Sequence, residues 1–444
     1  MHLVRKKSLY YRLNHDGRCF SIQKYRMGEN KMKSNTNTLP LEGITVIDFS
    51  QYLAGPFCSL TLGELGAEII KVESPKGDPA RQFGPPFIKD ESIYFMSVNR
   101  NKKSICLNMK NASGLRLAKK LCEKADILIE NFRPGIMEKF GLSYDSLSPN
   151  NSKLIYCSIS GYGQNHVNAK KMAVDLIMQG YSGIQDITGH PEGDPMRVGL
   201  SITDMLSGIW SIKAILVALY KLQKTGCGSY LDIAMTDSVA ALFPYQTIGS
   251  FYGKEFKRMG NEHPLIAPYE TYKAKDRFFN LCVANEKQWE NFCISINMPE
   301  LYKDPKFKKN KDRVINRKKL NEILIPLFSI KKTSYWLDLF ERFSVPAGPI
   351  NSVKDSISKD QICTTTHPEI GEFKYANSLT KIFNIHNHRN IPSPLLGEHS
   401  WQVLKTKLGL SDRYMEMLRE EGAVIGPLVD AMEKQQNHRT EILN

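Results

Sequence analysis

Asp204 is the side chain in this sequence best placed to do chemistry. The segment Gly193–Asp232 reads GDPMRVGLSITDMLSGIWSIKAILVALYKLQKTGCGSYLD: a polar loop and short β-prone run, a long apolar helix, a Thr-Gly turn, and a strand opening at Tyr230. This order sets Asp204 at the N-terminal end of a mostly buried helix, whose dipole favours an ionised carboxylate. A carboxylate held there and aimed into a cleft is a nucleophile toward an activated acyl group. The same residues also suit a plainer role, with Thr203 or Asp204 capping the helix.

The elements that must position this carboxylate repeat in a regular way. Ile44–Ser50 (ITVIDFS) is a nearly continuous apolar run, as expected of a strand buried on both faces. QYLAGP follows as a loop, Phe57–Gly66 as a helix and Ala67–Glu73 as a second strand. Ser104–Lys110, Ala125–Phe132 and Lys153–Gly163 read as further strands, with helices over Ala112–Lys124 and about Gly135–Phe140. Strands alternating with helices imply βαβ units, hence an α/β fold with a Rossmann-like, mainly parallel sheet. No GxGxxG follows the first strand, which argues against ordinary dinucleotide binding. The ligand face is still expected at the carboxyl ends of the strands, in Tyr52–Pro56, Asn131–Pro134 and Gly161–Gln164. Beyond the long helix the character changes to a smaller α+β domain over residues 236–350, with Val345–Asn351 as its exit linker. Residues 366–397 give short strand-like runs, and Trp401–Gly422 reads as terminal helices.

Composition narrows the field. The chain has 444 residues, 41% of them hydrophobic, enough for two or three domains. Its nine cysteines are scattered and form no CxxC or Cys/His cluster, so neither a metal site nor a disulfide framework is expected. Of the net charge of +14, half sits in residues 1–40, which hold nine Lys/Arg against two Asp/Glu. That tail resembles a mitochondrial transit peptide or a disordered extension. The remaining positive charge is spread in mixed-sign runs, with no aromatic-interleaved basic stripe, which disfavours nucleic acid and suits a polyanionic ligand. Met205–Tyr220 falls short of a bilayer span and contains Lys213, so a core helix is expected and no membrane partner.

LAGPFCSLTLGELGAEIIKVESP, YFMSVNRNKKSICLNMK, ADILIENFRPG, LIYCSISGYGQ, the segment Gly199–Gly208 and SPLLGEH occur in this order between Leu41 and Gly422. Together they resemble the family III CoA-transferases of the CaiB/BaiF type. The resemblance implies two domains in an interlocked homodimer. The large Rossmann-like domain would be built from residues 41–235 and 351–430, with the small domain 236–350 between them and tails at 1–40 and 431–444. It also implies that Asp204 attacks an acyl-CoA thioester and that Asp175 is a second catalytic carboxylate. Asp175 equally suits a cap on a helix running to Gly180. Where relatives show Gly-Tyr-Asp, this chain has Ala173-Val174-Asp175, so the acid is kept while its neighbours differ.

The family's CoA-binding positions fall on Tyr52, Leu53, Ala54, Leu107, Lys110, Asn131 and Phe132. Phe132 and Leu107 would flank the adenine, and Lys110 would meet a phosphate. A family arginine after the second strand is Ser74 here, which shifts phosphate contacts to Lys76, Arg100, Lys102 or Lys103; the run Asn99–Lys103 equally suits a solvated hairpin. No tetraglycine loop lies between Gly260 and Trp289, which disfavours the formate and oxalate subgroup, and Lys275-Asp276-Arg277 suggests a longer or differently shaped hairpin. The racemase branch places a histidine where this chain has Val174, and neither His166 nor His190 has its spacing, so the transferase is favoured. VNRNKKSI, TGHPEGDPMRVGLSITD and RFSVPAGPIN are most like the succinate–hydroxymethylglutarate (glutarate) branch. The implied substrates are an acyl-CoA such as succinyl-CoA and a small carboxylic acid, with no permanently bound cofactor. A CoA-binding protein without catalysis is the alternative from another class.

Overall fold

A computed structural model describes residues 39–376 and 390–426. The basic tail through residue 38, the 431–444 tail and part of the 351–430 segment lie outside these residues. In chain order the strands are β1 (Thr45–Asp48), β2 (Glu68–Glu73), a small hairpin of β3 (Phe87–Ile88) and β4 (Glu91–Ser92), β5 (Lys102–Leu107), β6 (Ile127–Glu130), β7 (Ile155–Ser160) and β8 (Ser229–Ala234). There follow β9 (Tyr269–Lys273), β10 (Phe278–Cys282), β11 (Ala347–Pro349), β12 (Ile362–His367), β13 (Gly371–Ala376) and β14 (Val424–Ile425).

Seven strands form one sheet in the order β14-β5-β2-β1-β6-β7-β8. All neighbours are parallel except β14, which runs antiparallel to β5. The two-residue alternation of a strand sends its side chains to opposite faces. Val46, Ile69, Ile127, Ile129, Ile155 and Cys157 pack on one face, with residues of the helices Ala54–Glu64 and Ile202–Thr225. Their neighbours Ile47, Ile70, Ile105, Leu128 and Tyr156 pack on the other, with residues of the helices Ala112–Glu123, Ser400–Leu408 and Asp412–Glu420. Helices on both faces explain why these strands read as continuous apolar runs.

Two expectations change around the long helix. QYLAGP is not all loop, because the first helix already begins at Ala54, with Pro56 in the turn where a missing N–H costs nothing. The helix Ile202–Thr225 is not mostly buried; it buries one stripe, Thr203, Ser207, Gly208, Ser211, Ile215 and Ala218, and exposes Ile209, Val217 and Tyr220. Among the described residues it is the helix long and apolar enough to cross a membrane, and in the fold it packs on β7, β8 and the helix Ala54–Glu64. The small residues on its buried stripe permit a close crossing. A Cβ added to Gly208 would lie 2.8 Å from Phe57 Cδ1 and 2.9 Å from the Ala54 carbonyl. Gly208→Val is therefore expected to lower stability by about 1–3 kcal/mol. A urea titration checks this, and an unshifted midpoint would contradict the close crossing.

The small unit is a three-stranded antiparallel sheet, β11-β10-β9, covered by the helices Glu286–Ser295, Arg317–Ser329 and Thr333–Arg342. Its core is aromatic, built on Phe279, Trp289, Phe292, Phe328, Trp336 and Phe340. The β9–β10 turn, where a longer or differently shaped hairpin is expected, occupies Ala274–Arg277. Ala274 N–H closes it onto the Arg277 carbonyl at 2.9 Å, and Asp276 accepts the Thr333 N–H at 2.8 Å.

Candidate active site

From β1 the chain leaves to β2 on one side and, later, returns to β6 on the other. The loops after β1 and β6 therefore part from each other and open a crevice at the carboxyl end of the sheet, where open α/β folds bind ligands. Asn131 ties the two loops together: its Oδ1 accepts the Gln51 N–H and its Nδ2 donates to the Gln51 carbonyl, both at 2.8 Å. Tyr52 next takes a left-handed backbone, φ 65°, and exposes its ring. Leu53 then starts the helix Ala54–Glu64 without any side-chain cap, and the Ala54 and Gly55 N–H groups have no protein acceptor among the described residues. An uncapped helix start at a switch point offers donors and a positive dipole end to an anionic or developing oxyanion group.

Asp204 lies in the first turn of the helix Ile202–Thr225, and its charge reaches Tyr94 together with those of Asp78 and Asp175. Ser201 is the N-cap, so neither Thr203 nor Asp204 caps the helix. Asp204 accepts no hydrogen bond from a described residue, whereas Asp175 is fully engaged. Asp175 Oδ1 accepts from Thr203 N–H at 3.0 Å and from Thr203 Oγ1 at 2.8 Å, and Oδ2 accepts from Gln179 Nε2 at 2.7 Å. Gln179 also holds the Val198 N–H at 2.8 Å. Asp175 thus lies in the first turn of its own helix, Asp175–Tyr181, and fixes the start of the neighbouring one. Burial first, and then the charge of Asp175, push the Asp204 carboxyl up to about 7.

Tyr94 adds to the candidate site a residue that the sequence did not reveal. Its hydroxyl is pushed up by burial and then by the charges of Asp204, Asp78 and Asp175, so the phenol stands within electrostatic reach of all three. Its ring meets Phe83 edge-on at 5.3 Å, and Phe83 meets Tyr52 at 5.6 Å. These rings form an aromatic wall from the switch-point loop toward the two helix-borne carboxylates.

The residues expected to hold CoA divide. Tyr52, Leu53, Ala54, Asn131 and Phe132 gather on the two loops at the crevice, with Phe132 half-buried against the core and its N–H donating to Glu130 Oε2 at 2.9 Å. Lys110 is exposed just beyond β5. Leu107 cannot flank an adenine, because it is 0% exposed within the sheet core. Three phosphate candidates already have carboxylate partners, and two of them are buried. Arg100 is buried against Glu64 at 3.0 Å, Lys102 against Asp48 at 3.2 Å, and Lys103 pairs with Glu68 at 2.7 Å. The run Asn99–Lys103 is consequently no solvated hairpin but the buried entry to β5. Lys76, Lys110 and Arg133 remain as exposed cations following β2, β5 and β6, without ion-pair partners among the described residues.

The fold and the site define an α/β protein whose unpaired Asp204 carboxylate and uncapped helix start at Ala54 are groups that acyl-transfer chemistry can use. Residues 41–400 match the model for CoA-transferase family III, and the chain belongs to that family. It is 38% identical over 393 residues to the succinyl-CoA:glutarate CoA-transferase of Mus musculus, covering 87% of this chain and 90% of that one. It is 36% identical to the succinate–glutarate CoA-transferase of Agrobacterium fabrum, covering 82% and 95%. Among solved structures it is similar to a CAIB/BAIF family protein from Brucella suis, with 35% identity, a TM-score of 0.74, and coverage of 84% of this chain and 100% of that one. The protein is a CoA-transferase with a mixed α/β fold and a mainly parallel central sheet.

Proposed function

We propose that this enzyme moves CoA from succinyl-CoA to glutarate or a similar dicarboxylic acid, with Asp204 as the nucleophile. The observation that carries the reading is Asp204 itself, a carboxylate free of hydrogen bonds from described residues in the first turn of its helix, with Asp175 and Tyr94 as its charged and aromatic neighbours. The names of the two glutarate-linked relatives support the donor and acceptor.

Asp204 attacks the thioester carbonyl, forming an aspartyl–acyl anhydride and releasing CoA thiolate. The thiolate attacks the aspartyl carbonyl, giving an aspartyl-CoA thioester and freeing the donor acid. The acceptor carboxylate attacks that thioester, forming a second anhydride and thiolate. The thiolate then takes the acceptor acyl group, and Asp204 returns as carboxylate. Every step exchanges one activated acyl group for another, so the sequence balances without a further co-reactant. The free Ala54 and Gly55 N–H groups suit the oxyanions that develop along the way. Asp175 keeps Thr203, and with it Asp204, in register.

The exposed apolar stripe Ile209, Val217 and Tyr220, together with Ile248, Phe251 and Tyr252 beyond β8, suits a partner surface. A homodimer is part of the proposal, as is a mitochondrial destination given by the basic tail. The test is incubation with succinyl-CoA and a panel of carboxylic acids, read by mass spectrometry. Glutaryl-CoA with matching loss of succinyl-CoA is expected. Transfer to other acids alone would displace the acceptor, and hydrolysis alone would overturn the reading.

A further inference from the structure

The segment Pro392–His399 (PSPLLGEH) supplies nothing to the chemistry above, yet it is fastened to the first half of the chain. Gly397 N–H donates to Ser104 Oγ at 2.9 Å, His399 N–H to the Ser104 carbonyl at 2.9 Å, and Arg81 Nη2 to the Pro394 carbonyl at 3.1 Å. Ser104 and Arg81, which hold it, both lead to the buried carboxylate of Glu73. Glu73 takes Arg81 in a two-pronged pair, at 2.8 Å from Nε and 2.7 Å from Nη2, and accepts Ser104 Oγ at 2.6 Å. Glu73 Oε2 also accepts the Asp78 N–H at 2.9 Å. Asp78 pairs with the fully buried Lys71 at 2.9 Å and accepts the N–H groups of Ala80 at 2.9 Å and Tyr52 at 3.2 Å. Lys71 closes the chain by donating to the Ser50 carbonyl at 2.7 Å.

We infer that Lys71 and Asp78 are positioning residues for the acyl-CoA site, held in place by Glu73, Arg81 and the Pro392–His399 segment. The inference rests on the proposed function, since it concerns the loop that would receive the thioester. Tyr52 has a left-handed backbone, which costs a non-glycine residue energy and persists only when its surroundings impose it. Asp78 grips the N–H of that residue, and Lys71 grips the carbonyl two residues earlier. Between them they set the angle at which Leu53 and Ala54 enter the helix, and hence where the free N–H groups point. A buried ion pair is a poor source of stability compared with an apolar pair of the same volume, so its use here is geometric. Lys71, Glu73 and Asp78 also stand at the carboxyl end of β2 and the turn after it, the ligand side of the sheet.

The test uses the full chain carrying Asp78→Ala, Asp78→Asn, or Lys71→Met with Asp78→Leu. For Asp78→Ala, the Kd for CoA by calorimetry and the KM for acyl-CoA are expected to rise about tenfold or more, while the KM for the acid stays within about twofold. Asp78→Asn keeps an acceptor oxygen for Tyr52 and is expected to recover most of the loss. The double variant leaves neither member of the pair as a lone buried charge, so it is expected to lose less stability than Asp78→Ala yet keep the weak CoA binding. Wild-type Kd in the double variant, or an equal rise in both KM values, would overturn the inference. A wild-type enzyme that binds CoA but exchanges none would sink the proposed function instead, and leave the Kd comparison intact.

Discussion

Asp204→Asn is expected to lower CoA exchange by at least about a thousandfold, with the Kd for CoA kept within about twofold. The amide keeps the size and shape of the side chain but cannot form the anhydride. Nothing else near it offers a substitute. Asp175 spends both oxygens on Thr203 and Gln179, and Tyr94 is pushed toward its neutral phenol by burial and by three neighbouring carboxylates. Stability should move the opposite way. Because the folded protein holds the Asp204 carboxyl up at about 7, ionisation opposes folding between the unfolded carboxylate range and neutrality. The amide variant is therefore expected to melt higher than the wild type at pH 8, the difference disappearing near pH 4. Hydroxylamine trapping of the aspartyl thioester in the wild type, absent in the variant, would complete the check. Exchange at a tenth of the wild-type rate would contradict the nucleophile assignment.

The sheet was legible in the sequence because its strands are buried on two faces. Pairs such as Val46 and Ile47, or Ile69 and Ile70, leave an unbroken apolar run that few other structures explain. β14 was not legible, since two residues carry no period, and neither was the helix Ile93–Val98 that presents Tyr94. The site divides in the same manner. Asp204 stands out because a lone acid opens a long apolar helix. Lys71, Arg100 and Lys102 do not, because a lysine or arginine read by type belongs on the surface. Only the tertiary partners Asp78, Glu64 and Asp48 make their burial possible. A usable signal did exist: Lys71 and Glu73 interrupt an apolar strand at its carboxyl end, the end that faces ligand. Leu107 misled for the converse reason, since a matching residue type says nothing about which face of β5 it occupies.

Activity should also report the environment of Asp204 through pH. In the proposed mechanism the carboxylate is the reactive form, and burial with the charge of Asp175 raises its ionisation to about 7. The free enzyme's profile of kcat/KM is therefore expected to bend near pH 7 and fall tenfold per unit below it, about a hundredfold by pH 5. Glu130 could produce a bend at the same place, because burial pushes it up to about 7 as well. The two origins are separable. Asp175→Asn removes the negative charge beside Asp204, while its side-chain oxygen still meets the Thr203 N–H. Asp175 does not act on Glu130, whose neighbours are Ser158, Phe132 and Asp232. An acid limb governed by Asp204 must move to lower pH in Asp175→Asn, and one governed by Glu130 must stay. The same variant should raise the fraction of reactive carboxylate at pH 6 even as looser register lowers the plateau rate. Convergence of the two profiles, with the variant closer to the wild type in acid than at pH 8, is the expected signature. Parallel profiles would show that the acid limb belongs to another group.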